Sequence, residues 1–181
     1  MSAICVYCAS GPVDEQYLTL AADLGTAIGA GGHTLVSGGG NVSMMGAVAA
    51  ATRAAGGFTL GIIPRGLMSR EVADRDADEL IVTETMRERK RLMDERADGF
   101  IALPGGIGTL EELFETWTGG FLGEHDKPVA LLDHEGFYQP MLTWLDDLRR
   151  RGFVSPVALA RLLVVSSVPD ALDAATGMWQ N

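Results

Sequence analysis

Gly99-Phe100-Ile101-Ala102-Leu103-Pro104-Gly105-Gly106-Ile107-Gly108-Thr109-Leu110-Glu111-Glu112 runs from an apolar stretch through a glycine-rich loop into a helical pattern. Gly99–Leu103 is short and wholly apolar, as a strand buried on both faces must be. The three glycines let the backbone turn sharply and approach a ligand with no β-carbon in the way. From Thr109 to Leu122 the spacing is helical, with Thr109 and Glu112 placed as a capping box. A helix beginning directly after such a loop aims its free N–H groups and positive dipole end at whatever the loop cradles. That is the general form of a phosphate site. A cap by itself needs neither three preceding glycines nor Pro104.

The same strand–loop–helix unit repeats on either side. Strands are expected near Ala3–Tyr7, Thr34–Ser37, Thr59–Ile63, Glu79–Val82, Gly99–Leu103, Val129–Leu132 and Leu162–Val165. Tyr17, Leu20, Ala21, Leu24 and Ile28 follow the spacing of an amphipathic helix, and further helices are expected near Met44–Ala55, Thr85–Arg96, Tyr138–Arg151 and Asp170–Ala175. Alternation of this kind predicts right-handed βαβ crossovers and a doubly wound, mostly parallel, Rossmann-like α/β sheet with helices on both faces. With 181 residues, no repeat and no long linker, residues 1–181 read as a single domain. Ligands of such sheets bind at the carboxyl ends of the strands. Ser37–Gly40, Pro64–Glu71 and Pro104–Thr109 fall there.

Composition narrows the function. Fourteen lysines and arginines against 24 acidic residues leave a net charge of −10, a surface that repels phosphate backbones and anionic lipid. Neither a nucleic acid nor a membrane is therefore an expected partner. Hydrophobic residues make up 47%, but no apolar run approaches the roughly 20 residues of a membrane span. Met1–Cys8 reads as a first strand rather than a signal peptide. Cys5 and Cys8 lie within or at the end of that strand, not at a helix start where a redox pair belongs, so they read as free thiols in a reducing cytoplasm. His33, His125 and His134 show no ligand spacing, and neither a metal nor a cofactor is expected.

Two further motifs stand out. Ser37-Gly38-Gly39-Gly40-Asn41-Val42-Ser43 is a second glycine junction, but it fails as a dinucleotide fingerprint because Ser43 takes the last glycine position. Met86-Arg87-Glu88-Arg89-Lys90-Arg91-Leu92-Met93 is helical; Met86, Met93 and Ala97 share one face, and Arg89 and Lys90 flank it. An Arg beside a buried stripe snorkels, pairs with an acid or faces a cleft, whereas Arg87 and Arg91 read as a solvated run.

Taken together, Ser37-Gly38-Gly39-Gly40, Met86-x-x-Arg89-Lys90 and the P-G-G-x-G-T-x-x-E motif from Pro104 to Glu112 resemble the LOG family of cytokinin riboside 5′-monophosphate phosphoribohydrolases, often misannotated as lysine decarboxylases. The similarity runs through Asp126-Lys127-Pro128 and covers nearly the whole chain. It implies a homodimeric Rossmann-like enzyme that releases a free adenine-type base and ribose 5-phosphate. The family's catalytic Arg and Glu fall on Arg89 and Glu112. Its substrate contacts fall on Glu71, Met86, Lys90 and the loop residues Gly105, Gly106, Ile107, Gly108 and Thr109, to which Glu111, Gly39 and Gly40 of the same motifs are added. Ser43 and Met44 stand where the family often has Gly-Leu, and Arg87 replaces a frequent His; both bear on substrate preference.

These residues suit the chemistry. Ribosyl C–N cleavage passes through an oxocarbenium-like state, against which a carboxylate such as Glu112 can set negative charge while it orients or deprotonates water. Arg89 can hold ribose hydroxyls or Glu112 itself. A pyridoxal-phosphate decarboxylase would need a Schiff-base lysine, and Lys90 and Lys127 are poor choices by position. The alternative is a non-catalytic carrier of a nucleotide or phosphate-bearing cofactor, since glycine loops bind phosphate without chemistry. Leu113, Phe114, Trp117 and Phe121 crowd one helix with more apolar area than one sheet face covers, which agrees with a homodimer.

Overall fold

The computed structural model describes residues 1–69 and 72–178. Its strands are β1 (Ala3–Tyr7), β2 (Thr34–Ser37), β3 (Phe58–Pro64), β4 (Glu79–Thr83), β5 (Gly99–Ala102), β6 (Val129–Leu132) and β7 (Leu162–Val165), each within one residue of expectation. They pair in parallel throughout, in the order β4-β3-β2-β1-β5-β6-β7. The chain thus winds outward from β1 to β4, returns to lay β5 against the other side of β1, and winds outward again. The winding reverses between β1 and β5, and the loops that leave those two strands diverge to either side of a crevice.

The helices are α1 (Glu15–Ala30), α2 (Ser43–Ala54), α3 (Met86–Arg96), α4 (Ile107–Leu122), α5 (Gln139–Arg150), α6 (Pro156–Ala160) and α7 (Val168–Ala175). Successive strand residues point to opposite faces. Ile4 and Val6 accordingly pack with Leu24 of α1, Val48 of α2 and Ala171 of α7, whereas Cys5 and Tyr7 pack with Met93 of α3, Leu113 of α4 and Leu145 of α5. On the first face α1 meets α2 backbone to backbone: a β-carbon at Gly25 would lie 2.3 Å from the Val48 carbonyl oxygen. Among the described residues no helix is long and apolar enough to cross a membrane.

The starts of α4 and α7 fall earlier than expected. α4 begins at Ile107, with Gly106 as its N-cap and no side-chain capping bond, so Thr109 and Glu112 are not a capping box. Gly106 lets the chain enter the helix two residues early, which leaves the side chains of Thr109 and Glu112 for other contacts. The capping contacts are instead found at α3, where Thr85 Oγ1 accepts from the Glu88 N–H (3.1 Å) and Glu88 Oε2 accepts from the Glu84 N–H (3.0 Å). α7 begins at Val168 because Ser167 caps it through the Asp170 N–H, 3.2 Å away. The short α6, unforeseen, follows the same Ser-Pro logic, with Ser155 as cap and Pro156 in the first turn.

Candidate active site

The crevice holds a cleft of about 250 Å³, lined by Cys8, Ser10, Gly11, Leu67, Met86, Arg89, Gly106, Ile107, Gly108, Thr109, Glu111 and Glu112. The loop after β1 forms one wall and the glycine loop with the first turns of α4 forms the other. α3 closes the side. Gly106, Ile107, Gly108 and Thr109, the N-cap and first turn of α4, line this space, and their N–H groups have no partner within the helix.

Arg89 and Glu112 meet inside the cleft. Arg89 is only 5% exposed, and its Nη2 lies 4.0 Å from Glu112 Oε1. The guanidinium rests on the glycine junction after β2: a β-carbon at Gly38 would come within 1.8 Å of Arg89 Nη2. Met86 Sδ lies 3.8 Å from Arg89 Nη1. Helix geometry separates the two α4 glutamates, with the Glu112 side chain 13% exposed and that of Glu111 51% exposed. Thr109 is buried beneath the loop, so close that a β-carbon on Gly105 would stand 2.1 Å from its Oγ1.

Behind Glu112 the wall is thiol and phenol. Burial pushes the Cys5 and Cys8 thiols far above their ordinary range, and the nearby Glu112 carboxylate adds to it. Burial and then Cys5 do the same to the Tyr7 phenol, whose oxygen is 2.9 Å from Thr116 Oγ1. At neutral pH these groups stay protonated, and neither cysteine is a ready nucleophile.

Lys90 sits elsewhere than the cleft lining. Its ammonium donates to Glu111 Oε1 at 2.5 Å and also pairs with Glu115, and those bonds raise its pKa. It faces a second cavity of about 160 Å³ behind Glu112, together with Tyr7, Thr116 and His125. Lys127 donates to the Asp94 carbonyl at 2.5 Å and lies over the Phe100 ring. Both lysines are therefore engaged as ammonium donors, the opposite of the free amine that a Schiff base requires. Among the described residues no group of three or more His, Cys, Asp or Glu is arranged to hold a metal ion.

Several expected site residues are placed differently from their sequence reading. Met86 is 43% exposed and lines the cleft; the buried face of α3 runs through Arg89, Met93 and Ala97 instead. Gly39 and Gly40 are buried against other segments of the same chain: a β-carbon at Gly39 would press on Ile62, and Gly40 bridges to Ala73. It is Gly38 that faces the cleft pair. Glu71 lies outside the described residues. Cys8, Ser10, Gly11 and Leu67 also line the cleft, although no sequence motif marks them; Gly11-Pro12 in the loop after β1 is the one available sign, once β1 is known to flank the reversal.

A parallel doubly wound sheet with an Arg–Glu pair and an uncapped helix start in its crevice defines a Rossmann-like α/β protein with a small-ligand cleft. The model of the family described as "possible lysine decarboxylase" matches residues 45–175. A cytokinin riboside 5′-monophosphate phosphoribohydrolase of Mycobacterium tuberculosis is 56% identical over 171 residues, 94% of this chain and 91% of that protein. A phosphoribohydrolase of the same name from Arabidopsis thaliana is 42% identical over 165 residues, 91% of this chain and 76% of that protein. The chain belongs to this family, the LOG family. The fold is also shared with the molybdenum cofactor binding protein of Rippkaea orientalis, at a TM-score of 0.73 and 24% identity over 98% of this chain and 96% of the other.

Proposed function

We propose that the protein hydrolyses the N-glycosidic bond of adenosine 5′-monophosphates, including N6-substituted ones of the cytokinin type, to a free base and ribose 5-phosphate. The observation that carries this reading is the placement of the buried Arg89–Glu112 pair beside the uncapped start of α4 in one cleft. The two relatives above carry the name of that reaction.

In this reading the N–H groups of Gly106–Thr109 grip the 5′-phosphate and so fix the ribose for attack. Glu112 draws a proton from the attacking water and faces the positive charge that grows on the sugar. The water oxygen bonds to C1′ as the C1′–N9 bond breaks, and the departing nitrogen takes up a proton, so water is the only co-substrate. Arg89 holds Glu112 and the ribose hydroxyls. Met86, Ile107 and Leu67 offer the base an apolar wall. No metal or cofactor enters these steps. The inclusion of all seven strands in one sheet supports a single domain over residues 1–181, and the free thiols suit a cytoplasmic setting.

Adenine release from AMP is expected, with adenosine hardly turned over, because the loop contributes binding energy only when a phosphate is present. High-performance liquid chromatography of the base released from each nucleotide and nucleoside tests this. Comparable rates for AMP and adenosine would refute the assigned phosphate site. Tight AMP binding without any base release would favour a carrier.

A homodimer is proposed as well, on altered grounds. Leu113 and Trp117 are buried in the chain's own core, but Phe121, Trp144 and Phe153 remain exposed along a groove of about 650 Å³ between α4, α5 and α6. Exposed apolar area of this kind belongs to an interaction surface. Light scattering at micromolar concentration is expected to give twice 19.2 kDa, and a monomer mass would count against the assignment.

A further inference from the structure

The glycine loop has few means of holding its own shape. Pro104 brings no N–H, and Gly105 and Gly106 bring no side chains. The β5–β6 register ends at Ala102↔Leu131, just before the loop begins. Leu103 is therefore the last residue through which the sheet can set the pitch of the turn. Its N–H donates to the Tyr7 carbonyl at 2.9 Å. Its carbonyl is held by a residue 35 positions away: Tyr138 Oη donates to it at 2.7 Å.

The approach of Tyr138 is itself built. After β6, Asp133 accepts from the Tyr138 N–H at 2.7 Å and from Gln139 Nε2 at 2.5 Å. The Asp133 N–H is tied to the Val165 carbonyl at 2.8 Å, which anchors the turn to β7. Glu135 and Gly136 both take left-handed backbone conformations (φ 51° and 75°), reversing the chain so that Tyr138 returns to the end of β5. A non-glycine residue keeps such a conformation only where its surroundings over-determine it. Tyr138 is 3% exposed and packs in the core, its phenol reaching the strand end from which the loop leaves.

We propose that Tyr138 is a positioning residue for the anion-binding loop: its phenol fixes the Leu103 carbonyl, and with it the direction in which the N–H groups at the start of α4 converge. This rests on the reading that those groups hold the 5′-phosphate. Tyr138 touches no reacting atom and acts through the loop.

Tyr138→Phe keeps the ring and removes only the hydroxyl. Calorimetric titration with ribose 5-phosphate is expected to show about tenfold weaker binding, the worth of one buried hydrogen bond. KM for AMP should rise by a similar factor with kcat within a few-fold, and inhibition by free adenine should not change. Unchanged affinity for ribose 5-phosphate, with only a lower melting temperature, assigns Tyr138 to core packing and overturns the proposal. Should the Phe variant fail to fold, Asp133→Ala, which releases the Tyr138 backbone, is expected to weaken ribose 5-phosphate binding in the same selective way, and its failure to do so is equally fatal. Ribose 5-phosphate bound by a wild type that releases no base from AMP defeats the proposed hydrolysis while leaving this test intact; a wild type that does not bind it defeats both.

Discussion

Glu112→Gln is expected to slow base release from AMP by ~10²–10⁴-fold, the usual worth of a positioned acid–base group. The substitution is close to isosteric, and Glu112 is not the far side of a capping box, because α4 starts at Ile107 with Gly106 as its N-cap. What changes is the charge: glutamine cannot accept the proton of the attacking water, nor can it oppose the positive charge growing on the ribose. Loss of the Glu112 carboxylate also removes the ionic partner that stands 4.0 Å from Arg89 Nη2. The melting temperature should therefore shift by only a few degrees, so circular dichroism on the same samples separates lost chemistry from lost fold. Glu115→Gln provides the comparison: Glu115 lies on the same helix, is half exposed and pairs with Lys90. Turnover there should stay within a few-fold of wild type. Base release by Glu112→Gln within a few-fold of wild type would leave the fold standing and remove the mechanism.

The second large effect centres on Arg89. Arg89→Ala is expected to reduce turnover by at least ~10²-fold, since it removes the cation that faces both the cleft and Glu112. It is also expected to lower stability, by about 1–3 kcal/mol, because it opens a void at a site 5% exposed and leaves Glu112 without that partner. A cleaner perturbation comes from the glycine junction after β2, on which the guanidinium rests. Gly38→Ala would set a β-carbon 1.8 Å from Arg89 Nη2, and the guanidinium, at the end of a flexible chain, must move aside. Displacing a catalytic group by about 1 Å can cost 10²-fold, so Gly38→Ala should lose most activity while its melting temperature barely moves. Base-release rates and thermal unfolding of the two variants check both statements. Full activity in Gly38→Ala would show that the exact seat of the guanidinium does not matter to the reaction.

Local patterns were enough for the strands and the long helices, though not for the five-residue α6. Short apolar runs punctuated by glycine and proline marked the seven described strands to within a residue, most plainly the central ones, because strands buried on both faces have little choice of composition. The cleft's main loop was legible for the same reason: Leu103–Glu112 is contiguous, and a glycine turn feeding a helix start is a local geometry. The helix starts at Ile107 and Val168 were legible only roughly: Thr109 has the composition of a cap without being one, whereas Ser167 is the cap that begins α7, and backbone geometry decides between such neighbours.

The rest depended on contacts between residues far apart in the chain. Nothing in the spacing of Met86–Met93 says which residue of α3 is buried; packing against the sheet and the Gly38 backbone put Arg89 inward and left Met86 at the cleft. Lys90, adjacent to Arg89 in sequence, is turned about 100° around the helix and meets Glu111 and Glu115 instead. The strand order brought the loop after β1 opposite the loop after β5, which made Cys8, Ser10 and Gly11 part of the cleft. Tyr138 reached the Leu103 carbonyl across 35 residues by way of the Asp133 turn. A sequence by itself determines which residues form helix, strand and turn, because those choices are governed by neighbours along the chain. Which side chains share a cleft is decided by the order in which strands pair and the face each helix buries, and only the tertiary structure settles those.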